Sequence, residues 1–338
     1  MSDIPTIPNP PGGGGGGPPP FIVGGRYKIL DTLGAGSFGV VYLALDTKLG
    51  HEVALKMINR DSPDFAALLR AEFRALRDIA HPNLVRLRKL HVEEEQCFFT
   101  MDVVREGQPF TVALQFDRSG PPEEQRAAIR KICRAGFQLA DALRTVHDFG
   151  ECHRDIKPSN VLVTPSGGVF LLDFGMVGHV DRQDFLDTAH GLLVGTLPYV
   201  APEQYELPRI LPASDWYSAG IMLYESIAGE LPYKGPFKVK YRDEHAAKQQ
   251  LPPPLARAVP AVPEAVDRLI SSLLSPVFEQ RPSAEDVCAR LRELGDEPGA
   301  RVYWSSHRAD VQRYFVARDE ELKTLRRAYD DAVKGSFV

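Results

Sequence analysis

The sequence predicts an α+β protein of two lobes, a small antiparallel β-sheet lobe with one main helix followed by a larger, mainly α-helical one. Three observations carry this expectation. From Tyr27 to Ile58, β-branched and aromatic residues are punctuated by glycine-containing turns, the pattern of a strand meander. Phe65, Leu68, Leu69, Phe73, Leu76 and Ile79 then recur at helical spacing. Beyond Gly107 the character turns helical, with long apolar stripes at helical spacing. At 338 residues the chain is longer than one compact unit and suits two lobes with tails.

Taken in order, residues 1–25 read as a disordered tail. Six consecutive glycines, Gly12 to Gly17, lie among prolines including Pro18-Pro-Pro20, and such a stretch has little apolar surface to offset the entropy of ordering. A passive leader and a polyproline docking segment both fit it. The small lobe is expected over 26–103. Val40, Val41, Tyr42 and Leu43 form a strand, Asp46 to Gly50 a turn, and Val53 to Lys56 the next strand. The amphipathic helix ends near His81-Pro82, and two strands follow at about Leu84 to His91 and Gln96 to Val103. The larger lobe is expected over 104–295. There Ile129, Ile132, Cys133, Gly136, Ala140, Leu143 and Val146 form one face of a long helix, and Asp215 to Ala228 is apolar nearly all round, as a buried helix is. Residues 296–338 read as a linker and terminal helix, with Leu322, Leu325, Tyr329 and Val333 on one face.

The bulk numbers narrow the function. A net charge of −5 offers no basic field for nucleic acid or anionic lipid, so neither partner is expected. Cys97, Cys133, Cys152 and Cys288 are far apart and suggest neither a zinc knuckle nor a disulfide framework. No signal-peptide pattern occurs, and no apolar run approaches the ~18 residues of a membrane span. Reduced thiols and a cytoplasmic location are expected.

The chemistry lies in separated phrases that equip a phosphoryl-transfer site. A phosphate donor needs its negative charge matched by an ammonium and a divalent metal, and the incoming hydroxyl needs a carboxylate to orient it and take its proton. Gly34-x-Gly36-x-x-Gly39 also has the spacing of a dinucleotide-binding turn, but it runs on into strand at Val40 rather than into a helix. It therefore caps a hairpin whose backbone can fold over phosphates. Glu72 falls on the inward stripe of its helix and calls for a partner, for which Lys56 is the natural candidate. A plain salt bridge between helix and sheet explains that pair equally well. Asn160 and Asp173 bracket Val161 to Val163, a Pro165 to Gly168 turn and Val169 to Leu172. In a hairpin, residues before the first strand and after the second emerge at one end, so two oxygen ligands suited to Mg²⁺ converge. Asp155 precedes Asn160 on the same loop, placed to meet a hydroxyl.

These residues, in Val53-Ala-Leu-Lys56, His153-Arg-Asp155, Lys157-Pro-Ser-Asn160 and Asp173-Phe-Gly175, resemble the eukaryotic-type protein Ser/Thr kinases, as found in bacteria, from about Tyr27 to Leu294. The resemblance implies a two-lobed kinase-like fold and transfer of the ATP γ-phosphoryl to protein Ser or Thr, with autophosphorylation. It places Gly34, Ala35, Gly36, Ser37 and Gly39 over the phosphates, Val41, Ala54 and Met101 beside the base, and the backbone of Asp102 and Val104 on adenine. Lys56, held by Glu72, meets the α- and β-phosphates; Asp155 is the base, Lys157 accompanies the γ-phosphate, and Asn160 and Asp173 hold Mg²⁺. Protein substrates and self-association for autophosphorylation are the implied partners.

Gly195-Thr196 to Ala201-Pro-Glu203 resembles the end of an activation segment, with Thr196 tied to the base, Glu203 paired with Arg281, and Asp215 bracing the His153-Arg-Asp155 backbone. Thr188 is the one hydroxyl side chain between Met176 and Gly195; phosphorylated, it would pair with Arg154, and unmodified it is an ordinary loop threonine. The stretch Glu106 to Gln125 is longer than expected before the long helix. Tyr314 to Leu322 resembles the lead-in to an ATPase-type signalling module, so the chain is expected to be part of a larger protein. Rival readings are a pseudokinase serving as a regulatory nucleotide-binding scaffold, and a small-molecule kinase, which would lack the segment around residues 195–203.

Overall fold

A Gly24-Gly25 turn with both φ angles positive, 55° and 60°, folds the chain back on itself and starts the first sheet. The computed structural model describes residues 22–36, 39–58, 70, 73–74, 76–92, 97–172, 197–205, 211–233 and 241–296. Strand β1 (Ile22–Val23) pairs antiparallel with β2 (Tyr27–Gly36), and Val23 is buried. The tail expected to extend to residue 25 therefore gives way to structure at Ile22: these two glycines are hairpin residues, which composition could not distinguish from the glycines before them. Strands β3 (Gly39–Asp46), β4 (His51–Ile58), β5 (Leu87–Val92) and β6 (Cys97–Met101) complete a sheet of order β1-β2-β3-β4-β6-β5, antiparallel throughout.

The two faces of this sheet bury different cores. Tyr27, Ile29, Tyr42, Ala44, Val53, Leu55 and Phe98 form a small cluster on one face. Ala54, Ile58, Leu87, Phe99 and Met101 on the other join Phe73, Leu76 and Ile79 and run on into the core of the helical lobe. Residues 70, 73, 74, 76 and 77 are helical, and Phe73 meets Phe99 at a ring separation of 6.2 Å. Phe65, Leu68 and Leu69, the earlier part of the expected helix, lie outside the described residues.

Gly39 is fixed by space as well as conformation. Its φ is +135°, and a Cβ built there would lie 1.9 Å from the Met57 carbonyl oxygen of the neighbouring strand. Gly39→Ala is expected to cost at least the roughly 1–3 kcal/mol of a disfavoured backbone conformation, because β3 must also move off β4. Urea unfolding checks this, and a midpoint equal to the parent chain's would contradict it.

Between the sheet and the helices the chain is stitched by backbone. Leu171 N donates to Asn83 O at 2.8 Å and Val85 N to Leu171 O at 3.0 Å, so the turn after His81-Pro82 docks on strand β9 (Val169–Leu171). Leu84 belongs to this docking bridge rather than to β5, which begins at Leu87. Strand β9 pairs with β8 (Val161–Val163), and β8 with β7 (Gln108–Pro109). Strand β7 and a helical turn at Phe110–Ala113 occupy the stretch that looked too long in sequence.

The helical lobe contains α1 (Pro122–Asp148), α2 (Pro212–Ala228), α3 (Tyr241–Lys248), α4 (Glu264–Leu273) and α5 (Ala284–Gly295). Helix α1 starts on a proline with Glu123 and Glu124 in its first turn, both favourable there. Helix α2 is buried on nearly every side, as its sequence predicts. Between turn and helix, His81 Nε2 lies 3.2 Å from Asp141 Oδ2 and Arg144 donates to Asp141 at 2.7 Å. The hydrogen bond with His81, then that from Arg144, holds the Asp141 carboxyl at about 2 against the opposing effect of burial. Because the folded pKa is depressed, this stabilisation is complete above the ordinary value of 3.8 and is lost as pH falls towards about 2. Asp141→Asn is accordingly expected to lower Tm at neutral pH and to converge on the parent as pH falls from 3.8 towards about 2; a gap independent of pH would refute the linkage.

Candidate functional site

Strand register brings the nucleotide-side candidates to one face. Directly opposed residues of antiparallel strands share a face, and Gly34 opposes Val41, Val41 opposes Lys56, and Lys56 opposes Phe99. One pleat further along, Ala54 opposes Met101. Gly34, Val41, Ala54, Lys56 and Met101 thus line the face that continues into the helical lobe. Lys56 is half-buried, with Nζ 6.0 Å from the Phe99 ring centroid. A Cβ added at Gly34 would meet open space, so that glycine leaves a free approach along the hairpin, unlike Gly39. Ala35 and Gly36 oppose Val40 and Gly39 at the end of the same hairpin. Ser37, Glu72 and Asp173 lie outside the described residues.

After Met101 the backbone separates the polar groups of Asp102. Its N–H donates to Arg86 O at 3.1 Å, which leaves its carbonyl for a ligand. Its carboxylate pairs with Arg88. Val104 is half-buried against the core two residues on.

The loop before β8 holds the tightest polar constellation. Asn160 Nδ2 donates to both the Asp155 carbonyl and Asp155 Oδ2, each at 2.8 Å, and Lys157 Nζ lies 2.8 Å from the same Oδ2. The two Asn160 bonds commit its nitrogen and leave Oδ1, an oxygen donor of the kind Mg²⁺ takes, facing elsewhere. Leu172 N donates to Asn160 O at 2.8 Å, so the two ends of the β8–β9 hairpin meet as the sequence predicts, up to the residue before Asp173.

Asp215, buried at the start of α2, holds this loop from beneath. His153 N donates to its Oδ2 and Arg154 N to its Oδ1, both at 2.8 Å. Arg154 has φ 73°, a conformation that costs a non-glycine residue roughly 1–3 kcal/mol and persists only where its surroundings impose it. Burial drives the Asp215 carboxyl upward; the His147 hydrogen bond, the electrostatic contributions of His147 and His153 and the Arg154 amide more than offset this and keep it below the ordinary range. His153 adds a bond between Nε2 and Leu172 O at 2.7 Å, tying loop to hairpin.

The segment from Leu197 to Tyr205 is fastened to the same helix. Arg281 makes a paired contact with Glu203, Nη1 to Oε1 at 2.6 Å and Nη2 to Oε2 at 2.8 Å, as expected. Tyr199 OH donates to Glu225 Oε2 at 2.7 Å and Ser218 Oγ to Tyr199 O at 2.7 Å. Thr188 and Thr196 lie outside the described residues.

Several supports escaped the sequence reading. His147 bonds Asp215 Oδ2 at 2.8 Å. Lys248 is buried and donates to Val200 O at 2.9 Å, pinning the segment from Leu197 to Tyr205. Asn83 and Gln138 join each other at 3.0 Å and clasp the β8–β9 hairpin through Val169 O and Gly167 O. An isolated amide or lysine carries no local signal of burial. The two alanines before it, Ala246 and Ala247, are exposed, so its neighbours in sequence give no hint that Lys248 turns inward.

Comparison with known proteins agrees with this geometry. The protein kinase domain family matches residues 27–291. The chain is 34% identical over 305 residues to the DNA damage-responsive serine/threonine-protein kinase RqkA of Deinococcus radiodurans, covering 89% of this chain and 43% of that protein. It is 32% identical over 280 residues to the serine/threonine-protein kinase PknA of Mycobacterium tuberculosis, covering 79% and 62%. Against PrkC of Bacillus subtilis the identity is 29% over 304 residues, covering 89% and 44%. The chain thus spans between 43% and 62% of the length of these curated relatives. A solved kinase domain of M. tuberculosis PknI shares the fold, with a TM-score of 0.57 at 23% identity over 80% of this chain and 96% of that one.

Proposed function

We propose, because the chain belongs to the protein kinase domain family, that it transfers the γ-phosphoryl of ATP to serine or threonine hydroxyls of protein substrates, with Mg²⁺. The observation that carries this reading is the convergence of Asn160 Nδ2 and Lys157 Nζ on Asp155 Oδ2, each at 2.8 Å, on a loop anchored by Asp215. In this reading Asp155 orients the acceptor hydroxyl and takes its proton as the oxygen attacks phosphorus and the bond to ADP breaks. Lys157 exchanges its contact with Asp155 for the γ-phosphate. Lys56, with Glu72, meets the α- and β-phosphates, and the backbone from Gly34 through Ala35, Gly36 and Ser37 to Gly39 covers them. The Asp102 carbonyl and Val104 amide take adenine between Val41, Ala54 and Met101. Asn160 Oδ1 and Asp173 would hold Mg²⁺, which when bound would supply neutralisation of the phosphate charge.

Thr196 and the Glu203–Arg281 anchor present the peptide, and Thr188, phosphorylated between transiently associated copies, pairs with Arg154. The lobes divide near residue 103, and the part beyond residue 295 joins the kinase to a further module of a longer signalling protein. We read the setting as cytoplasmic from the wide spacing of the four cysteines in the sequence, which matches no disulfide framework. Among the described residues no helix is long and apolar enough to cross a membrane.

Transfer of labelled phosphate from ATP to a generic protein substrate tests the reading. Label is expected on Ser or Thr, lost on chelation of divalent metal and lost in Lys56→Met. Label on tyrosine, or transfer unaltered in Lys56→Met, would overturn it. ATP binding without transfer would leave a regulatory nucleotide-binding domain instead.

A further inference from the structure

His147 on α1, Cys152 just before His153, and Asp215 on α2 bring a nitrogen, a sulfur and an oxygen within 4.8 Å of one another. They form the one such group of three among the described residues. His147 Nε2 is already 2.8 Å from Asp215 Oδ2, its side chain is 8% exposed, and its ring is held edge-on to Trp216 at 5.4 Å. The other ring nitrogen, Nδ1, is buried with no hydrogen-bond partner among the described residues. Cys152 is in no disulfide and is only partly covered, which leaves the cluster an approach from solvent.

We propose that this cluster is an inhibitory site for Zn²⁺, separate from the Mg²⁺ position and acting on the loop that carries Asp155. The donor set selects the metal. Mixed N, S and O ligands suit Zn²⁺, whereas Mg²⁺ takes oxygen alone and binds such a set poorly. The ligands of a tetrahedral zinc ion, with bonds of about 2.0–2.3 Å, are separated by roughly 3.3–3.8 Å. The present donors, within 4.8 Å of one another, close by about 1 Å at most to reach that spacing, and water supplies the fourth ligand.

The protons balance. Zinc takes the Cys152 sulfur as thiolate, and the thiol proton leaves to solvent. It takes His147 at Nε2, whose proton passes to Nδ1, where no existing bond is broken. The cluster then moves from one negative charge, that of Asp215, to none, which removes the cost of a buried carboxylate. Burial first, and then the Asp215 charge, pushes the Cys152 thiol up to about 12, so without metal the sulfur stays protonated and inert.

Inhibition follows from what Asp215 already does. Its Oδ2 receives the His153 amide, and its Oδ1 holds Arg154 in a positive-φ conformation. A zinc ion bridging Oδ2 to His147 and Cys152 draws the carboxylate off the His153 N–H. The loop then relaxes, and Asp155 and Lys157 leave their positions.

Cobalt serves as the spectroscopic probe and buffered zinc as the inhibitor. Cobalt is expected to bind with thiolate-to-metal charge-transfer absorption in the parent chain and in Cys288→Val, and to lose that band in Cys152→Val. Zinc, titrated at saturating Mg-ATP, is expected to inhibit Cys152→Val only at concentrations at least about tenfold higher than the parent, a loss typical of a weakened metal shell. The zinc-free rate of Cys152→Val is expected to match the parent's. Should Cys152→Val melt early, Cys152→Ser gives the same cobalt readout. A charge-transfer band surviving both Cys152 substitutions, no cobalt band in the parent, or equal zinc sensitivity of parent and variant each overturns the site. The cobalt measurement needs no phosphoryl transfer, so its result stands apart from that of the kinase reading.

Discussion

Asp155→Asn is expected to lower kcat for phosphoryl transfer by about 100- to 10,000-fold, the range contributed by a positioned general base. The substitution removes charge and proton affinity while keeping shape. Both Asn160 Nδ2 and Lys157 Nζ point at one oxygen, Oδ2, and an amide oxygen there still accepts from both. The loop therefore keeps its anchors at His153, Arg154 and Asp215, and thermal unfolding should change little. The KM for ATP should also change little, because in the proposed mechanism the carboxylate acts on the acceptor hydroxyl and not on the bound nucleotide. Initial rates at saturating ATP and protein substrate check the prediction. A variant keeping a tenth or more of the parent rate would mean that Asp155 does not accept the proton, while a large rise in KM for ATP would mean that the loop had moved.

Arg281→Leu is expected to be the most damaging change to stability. The Arg281 side chain is 1% exposed and that of Glu203 is 5% exposed. Besides Glu203, the guanidinium donates to Ser275 O at 3.0 Å and Ala213 O at 2.8 Å, and it lies over the Tyr217 ring at 4.8 Å. Leucine leaves the buried Glu203 carboxylate with Ser214 Oγ, at 2.7 Å, in place of its cation. Breaking a buried pair from one side costs about 3–5 kcal/mol. At roughly 2–4 °C per kcal/mol for a domain of this size, Tm should fall by about 6–20 °C. The surviving fold should also show a raised KM for protein substrate at unchanged KM for ATP, because Glu203 anchors the segment from Tyr199 to Tyr205. Replacing Glu203 by methionine in the same chain should restore part of the loss, since the stranded charge is then gone. Unfolding within about 1 kcal/mol of the parent would show that the pair contributes no more than a surface one.

The chemistry was more legible in the chain than its supports. Asp155, Lys157 and Asn160 stand within six residues of one another, and the hairpin after them follows from two short apolar runs around a Pro165 to Gly168 turn. Spacing alone therefore predicted that Asn160 and the end of β9 meet. The glycines misled once, because Gly24 and Gly25 follow a glycine- and proline-rich tail and composition does not mark them as hairpin residues. Only the burial of Val23 against β2 separates hairpin from tail. The His147 contact was invisible for a different reason: it joins residues 68 apart, and nothing local tells a helix which of its polar side chains a distant carboxylate will meet.

What the order of residues settled was local. It set which stretches pleat, which coil, where the turns fall, and which acids, amides and lysines stand beside which turns, because propensity and periodicity act over a few positions. The packed chain decided the rest. That Asp215 holds the amides of His153 and Arg154, that Glu203 finds Arg281 across 78 positions, and that Asn83 reaches Gln138 across 55 are outcomes of burial. A polar group taken out of water must find a partner, and which one it finds depends on how the helices and the sheet close over it.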